Sequence, residues 1–219
     1  MFVMSALLST AIALAQTVAV GEMVRISTNE PAFYPQLTAD GTSVLVTAQN
    51  YAGLVRVDVA TGKNEVLSTE ARAGRNAMPA AVAVNDKLQL VYNNEVLTPN
   101  GEQHRYLWPQ LSPDGKRIAY TVSGRGTYVY DLAGRTTTFV GKVRAARWYD
   151  DQWLVAMQDR DNGYEVTESA IVLTNVDGTF SQTITPASVK AMYPTAAAGR
   201  VAFNTAEGEV YVMTVNINQ

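Results

Sequence analysis

The sequence predicts an all-β fold: a single β-propeller of about five blades, each a four-stranded antiparallel sheet. Three observations carry this. A phrase recurs: residues 34–46 read YPQLTADGTSVLV, 108–120 read WPQLSPDGKRIAY and 193–203 read YPTAAAGRVAF. Between the copies, segments such as LVRVDV (54–59) and TYVYDL (127–132) alternate apolar and polar residues, the period of a half-buried strand. Asp-Gly and lone Gly residues punctuate the strands, supplying the positive φ that hairpin turns need. Self-similarity at roughly forty residues is the signature of one small sheet per repeat. A β-sandwich is the alternative that short strands and regular turns also allow.

In the first copy, residues 36–38 form an inner strand, 43–48 a second, 54–59 a third and 65–68 an outer one, with turns at 39–42 and 60–63. The third copy repeats this order with strands over 117–122, 127–132 and 137–140. The fourth copy is looser, its last two strands joined at Asp177-Gly178; the second is weakest, with a stunted pair around Pro99-Asn100-Gly101. The repeats are marked by Pro35, Pro79, Pro109, Ala145 and Pro194. The fifth copy lacks an outer strand. Residues 23–28, an orphan strand before the first Tyr-Pro, are expected to supply it and close the ring, which removes the unpaired edges of an open sheet.

The 219 residues suit one domain, placed at 22–219, with 47% hydrophobic and 17% charged residues. A net charge of −3 argues against nucleic acid, whose phosphates demand clustered Lys and Arg. The densest basic stretch is Lys142, Arg144 and Arg147. With no cysteine, disulfides, thiolate nucleophiles and Cys-based metal sites are excluded. The one histidine, His104, rules out a multi-histidine metal site and reads as a turn residue. Residues 1–15, MFVMSALLSTAIALA, are apolar but too short to span a bilayer at ~20 residues. They end in a small-x-small pattern and are expected to be a cleaved signal peptide, which gives a periplasmic or secreted protein.

The phrases YPQLTADGTSVLV with VRVDVATGK, and WPQLSPDGKRIAY with TYVYDLAGR, resemble the TolB-like (WD-type) β-propeller repeat. That repeat is typified by an aromatic-Pro-x-x-Ser-Pro-Asp-Gly-x-x-Ile-Ala phrase. The resemblance covers residues 22–219 and implies the propeller fold. TolB's extra N-terminal domain and the hydrolase domain of propeller-gated peptidases have no counterpart, and there are five copies where TolB has six. Neither TolB's partner role nor peptidase activity is therefore carried over.

The turn carboxylates Asp40 and Asp114 read as turn chemistry rather than catalysis. Glycosidases need two carboxylates flanking the bond, and the inferred inner strands contain no Asp or Glu. Residues 159–165 (DRDNGYE) have the Asp-x-Asp spacing of a calcium loop, but Gly163 sits where a third oxygen ligand belongs; a solvated hairpin loop is expected and no metal site is assigned. Trp148 and Trp153 are expected in the inter-blade core. The candidate binding residues are Tyr34, Trp108 and Tyr193, equivalent positions on different blades, with Tyr51, Arg125, Asp159 and Tyr164 from loops on the same face. An aromatic-rimmed mouth suits a ligand or a peptide; the same rings would equally serve as packing between blades. The expected function is a monomeric, non-enzymatic ligand- or protein-binding or scaffold propeller of the bacterial cell envelope. No cofactor is expected, and the partner would be an envelope protein, peptide or small ligand. The alternatives are a glycan- or peptide-active enzyme and an accessory subunit gating a separate hydrolase.

Overall fold

A computed structural model describes residues 17–72 and 82–218; the leader expected at 1–15 and the marker Pro79 lie outside them. Strands β1 (Thr17–Val20) and β2 (Val24–Ile26) come first. Blade 1 is β3 (Phe33–Leu37), β4 (Ser43–Thr47), β5 (Ala52–Asp58) and β6 (Asn64–Arg72). Blade 2 is β7 (Val82–Val84), β8 (Leu90–Tyr92) and β9 (Glu95–Leu97). Blade 3 is β10 (Tyr106–Leu111), β11 (Arg117–Val122), β12 (Gly126–Asp131) and β13 (Thr136–Gly141). Blade 4 is β14 (Arg144–Trp148), β15 (Trp153–Asp161), β16 (Val166–Asn175) and β17 (Ser181–Thr183). Blade 5 is β18 (Ala191–Ala197), β19 (Arg200–Thr205) and β20 (Val210–Asn218). Each blade is an antiparallel meander in chain order, and together they make the five-bladed propeller read from the repeat.

The ring closes as expected. β2 pairs with β20 in the register Val24↔Val212 to Ile26↔Val210. β1, which the sequence reading did not anticipate, continues the same outer strand from Thr17↔Asn218 to Val20↔Val215. The two pieces are parted at residues 21–23, where the Gly21 amide donates to the Thr214 carbonyl at 2.8 Å. Blade 5 thereby carries five strand segments, whereas blade 2 shows three among the described residues. The stunted pair expected around Pro99-Asn100-Gly101 is corrected: the outer hairpin of blade 2 turns at Asn93-Asn94, both at positive φ, as a two-residue hairpin turn requires. Residues 98–101 form a separate turn that holds the Tyr106 hydroxyl, which donates to the Gly101 carbonyl at 3.1 Å.

Alternating strand residues fill the seams between blades. Trp153, Ile171, Leu173, Phe203 and Val215 join blades 4 and 5. Ile26, Val44, Val57, Ala202 and Val210 join blades 5 and 1. Leu90, Tyr106, Ile118 and Tyr120 join blades 2 and 3, and Ala119, Val129, Trp148 and Leu154 join blades 3 and 4. Both tryptophans expected in the core are there, and Trp148 Nε1 donates to the Gln110 carbonyl at 3.0 Å.

On the face of the Asp-Gly turns, neighbouring blades clasp one another. Arg200 Nη1 of blade 5 donates to the Gly41 carbonyl of blade 1 at 2.8 Å. The Asp114 amide of blade 3 donates to Asp151 Oδ1 of blade 4 at 2.9 Å. The turn carboxylates are structural. Asp40 accepts from the Thr38 hydroxyl at 2.6 Å and from the Thr42 amide at 3.0 Å. The Thr38 hydroxyl, followed by the Thr42 amide and hydroxyl, holds its pKa down at about 2. Hydrogen bonds from threonine or serine likewise depress Asp58, Asp114 and Asp177.

Two outcomes follow from this packing. Ile26→Ala, in the closing strand, should cost about 2–4 kcal/mol in denaturant unfolding, as a buried aliphatic truncation does. The depressed carboxylates stabilise the fold fully above the unfolded Asp pKa of ~3.9, and that contribution is lost as pH falls toward 2. The melting temperature should therefore drop between about pH 4 and pH 2; a flat profile across that window would contradict the turn assignment.

Candidate functional site

The site grows out of one backbone irregularity used four times. The inner strands of blades 1, 3, 4 and 5 slip register against their neighbours at the same place: between Phe33 and Gln36, Leu107 and Gln110, Arg144 and Arg147, and Met192 and Thr195. The first residue inside each slip lies in the left-handed region: Tyr34 (φ 52°), Trp108 (φ 48°), Ala145 (φ 51°) and Tyr193 (φ 52°). This corrects the marker for blade 4. Ala146, not Ala145, takes the proline position, because Ala145 shares the conformation of the aromatic residues. The bulge turns the aromatic side chain away from the strand's regular alternation, and proline follows where the ladder is already broken.

Tyr34, Tyr193 and Tyr51 come together. Tyr34 stacks on Tyr51 with ring centroids 4.1 Å apart and planes at 13°. It meets Tyr193 across the seam of blades 1 and 5 at 4.9 Å and 59°. Tyr51, at the tip of the β4–β5 loop, is 46% exposed. The Tyr34 amide, freed from the ladder by the bulge, donates to Asn204 Oδ1 at 3.1 Å. Its hydroxyl donates to the Gln49 carbonyl at 3.4 Å. Burial first, then Tyr51, raises the pKa of both Tyr34 and Tyr193. The two phenols therefore stay protonated through neutral pH and can donate hydrogen bonds.

Beside these rings lies a cavity of about 300 Å³, bordered by Tyr34, Tyr193, Met192, Asn204, Glu165 and Lys190. It is at the small end of ligand pockets, which run from ~300 to ~1,000 Å³. Glu165 and Lys190 put opposite charges on its border. Sequence reading missed both, as it missed Asn204, whose signal lies only in three dimensions: a buried amide opposite a bulge 170 positions away in sequence.

The other expected residues divide. Asp159 is paired with Arg144, whose Nε donates to Asp159 Oδ1 at 2.6 Å, and a second contact joins Arg144 Nη2 to Asp159 Oδ2. This pair sits near the rings, since β14, which carries Arg144, packs against β18, which carries Tyr193. Tyr164 is 99% exposed at the tip of the β15–β16 hairpin, one residue from Glu165. Arg125 is exposed on the β11–β12 loop of blade 3. Trp108 has the backbone of its tyrosine equivalents but makes no ring contact with them. Blade 4 stands between Trp108 and Tyr193, and its equivalent residue is Ala145, so the aromatic rim is interrupted there. The Asp-x-Asp loop is a solvated hairpin: Asp161 and Asn162 accept from the amides of residues 163–165, and among the described residues no group of three metal-ligating side chains converges.

No family model matches the sequence, and no curated protein matches it. Solved structures do. A putative TolB from Agrobacterium tumefaciens is 17% identical, with a TM-score of 0.44, over 93% of this chain and 88% of that one. TolB from Acinetobacter baumannii is 14% identical, with a TM-score of 0.35, over 87% of this chain and 56% of that one. An oligogalacturonate lyase from Vibrio parahaemolyticus is 14% identical, with a TM-score of 0.41, over 86% of this chain and 68% of that one. The TolB-like resemblance of the repeat is thus met by TolB propellers among the structural neighbours. The expectation that the chain is not an enzyme is corrected: an oligogalacturonate lyase stands among the same neighbours.

The Arg144–Asp159 pair is half inside the protein, with Asp159 6% and Arg144 36% exposed. Asp159→Asn should cost about 1–3 kcal/mol in denaturant unfolding by leaving the guanidinium partly unpaired. A neutral result would show that solvent already screens the pair.

Proposed function

We propose that this chain is a ligand- or protein-binding propeller of the bacterial cell envelope that works through the mouth formed by Tyr34, Tyr51 and Tyr193. The observation that supports this best is the stacked Tyr34–Tyr51 pair beside the 300 Å³ cavity. Flat, amphipathic rings with protonated hydroxyls offer apolar area and hydrogen bonds at small cost in side-chain entropy. The occupant that fits is a single side chain of an extended peptide or one sugar-sized small ligand. Trp108, Arg125 and Tyr164 would contact whatever surrounds that anchor, and Asp159, buried against Arg144, would hold that guanidinium in place on the same face.

The envelope location rests on the leader reading of residues 1–15. Cleavage after Ala15 would leave β1, which starts at Thr17, whole. Among the described residues no helix is long and apolar enough to cross a membrane.

Two experiments test the proposal. Tyr51→Asn keeps a residue that tolerates positive φ while removing the exposed ring. In a pull-down from native envelope extract it should lose at least about tenfold of the captured partner, the equivalent of one aromatic anchor, with melting temperature unchanged; undiminished capture would move the site elsewhere. Mass spectrometry of protein exported by the native host should find an N-terminus at Gln16. An intact Met1 would remove the ground for the envelope location.

A further inference from the structure

Two residues beyond each left-handed position, the four bulged inner strands carry a second equivalent layer. Its members are Gln36, Gln110, Arg147 and Thr195. They lie on the axis-facing edges of blades 1, 3, 4 and 5, where Gln36 Nε2 donates to Thr195 Oγ1 at 3.0 Å across two blades. None of the inner strands β3, β7, β10, β14 and β18 contains Asp or Glu. Arg147 therefore brings a positive charge into a layer of neutral hydrogen-bonding groups.

That charge has no counterpart among the described residues. The described residues include all twenty acidic side chains of the chain, and the ion pairs they form leave Arg147 out. Arg144, three residues earlier, is neutralised by Asp159. Arg147 Nη1 donates only to the neighbouring Ala146 carbonyl, at 3.1 Å. Burial acts on the guanidinium strongly enough to lower its pKa, yet the residue keeps part of its surface in contact with solvent. The guanidinium is thus crowded by protein and still in reach of solvent. A guanidinium cannot escape by losing its proton, and a desolvated charge without a partner is costly. No acidic side chain of the chain supplies the missing negative charge.

We propose that Arg147 is the receptor of an anion site in the propeller's central channel, and that its ligand is a carboxylate. The planar fork of the guanidinium matches a carboxylate with two parallel hydrogen bonds, and Gln110 and Gln36 supply neutral donors in the same layer. The site is independent of the tyrosine mouth and stands whether or not the mouth binds a partner.

The test is a titration of the full chain with sodium succinate, and separately with sodium sulfate, at an ionic strength held constant with sodium chloride. It is followed at the Arg147 Nε–Hε NMR cross-peak, which is assigned by its absence from Arg147→Gln. Melting temperatures are recorded in parallel for wild type, Arg147→Gln and Arg147→Lys. Succinate should shift the cross-peak saturably and raise the wild-type melting temperature. Its apparent Kd from thermal shift should rise at least about tenfold in Arg147→Gln, as for loss of a charge-assisted pair, and by less in Arg147→Lys, which keeps the charge without the fork. In chloride alone Arg147→Gln should melt at or above wild type, since it removes an uncompensated charge. A response to sulfate without one to succinate would overturn the carboxylate assignment. No saturable response to either anion, or equal responses in all three proteins, would overturn the site. Failure of Arg147→Gln to fold would show the guanidinium to be a structural element and would also overturn it.

Discussion

The left-handed bulge in the inner strands is the constraint on which the rest of this propeller depends. A strand that alternated regularly would send every other side chain into the seams and leave nothing aimed at the mouth. Holding Tyr34, Trp108, Ala145 and Tyr193 at positive φ breaks the ladder once in each of blades 1, 3, 4 and 5. Non-glycine residues in that region carry strain of order 1–3 kcal/mol each, so the conformation persists only because its surroundings enforce it. Proline next in sequence gives up no ladder hydrogen bond there, and the Asn204 side chain takes the amide that the bulge frees in blade 1. The same slip sets the height of the layer that holds Gln36, Gln110, Arg147 and Thr195. Mouth and channel are thus two consequences of one local distortion.

Around that constraint the blades are unequal in ways that matter. Blade 5 borrows its outer strand from the N-terminal segment, which ties the two ends of the described chain into one sheet. Its hydrogen bonds and the burial of Ile26 replace an edge that would otherwise face solvent. Blade 4 puts Ala145 where its equivalents carry rings, and it extends a long β15–β16 hairpin past the sheet instead. That substitution separates Trp108 from the tyrosines and leaves the clustered aromatics at the seam of blades 5 and 1. The hairpin returns Glu165 to the cavity there, so the irregular blade still contributes to the mouth.

Much of the fold was legible in the residues because repeats report on local geometry. Asp-Gly turns, period-two strands and the Tyr-Pro or Trp-Pro phrase each encode a backbone shape, and the closing strand showed itself as an apolar segment without a partner. β1 was hidden because residues 17–20 merge with the apolar stretch before them. The blade 4 register was misread by one residue because neither proline nor an aromatic marks it; Ala145 and Ala146 are distinguishable only by φ. The site was half legible. Equivalence of Tyr34 and Tyr193 followed from the repeat, and Tyr51 from its loop. Glu165, Lys190 and Asn204 required the distances, because nothing in sequence brings residue 204 to residue 34. Arg147 was visible only as one of three nearby basic residues until its lack of a carboxylate partner gave it a meaning.

Whether the bulged tyrosines face a ligand or only pack between blades is decided most directly by equilibrium unfolding of Tyr34→Gly and Tyr193→Gly. Glycine is at ease at positive φ, so each substitution relieves backbone strain while deleting a ring. For a ring that is half-buried at an open mouth, the two effects should nearly offset, and each variant should lie within about 1.5 kcal/mol of wild type. A loss of about 3–5 kcal/mol, the cost of truncating a core aromatic, would show the rings to be packing and would take the mouth away as a binding surface.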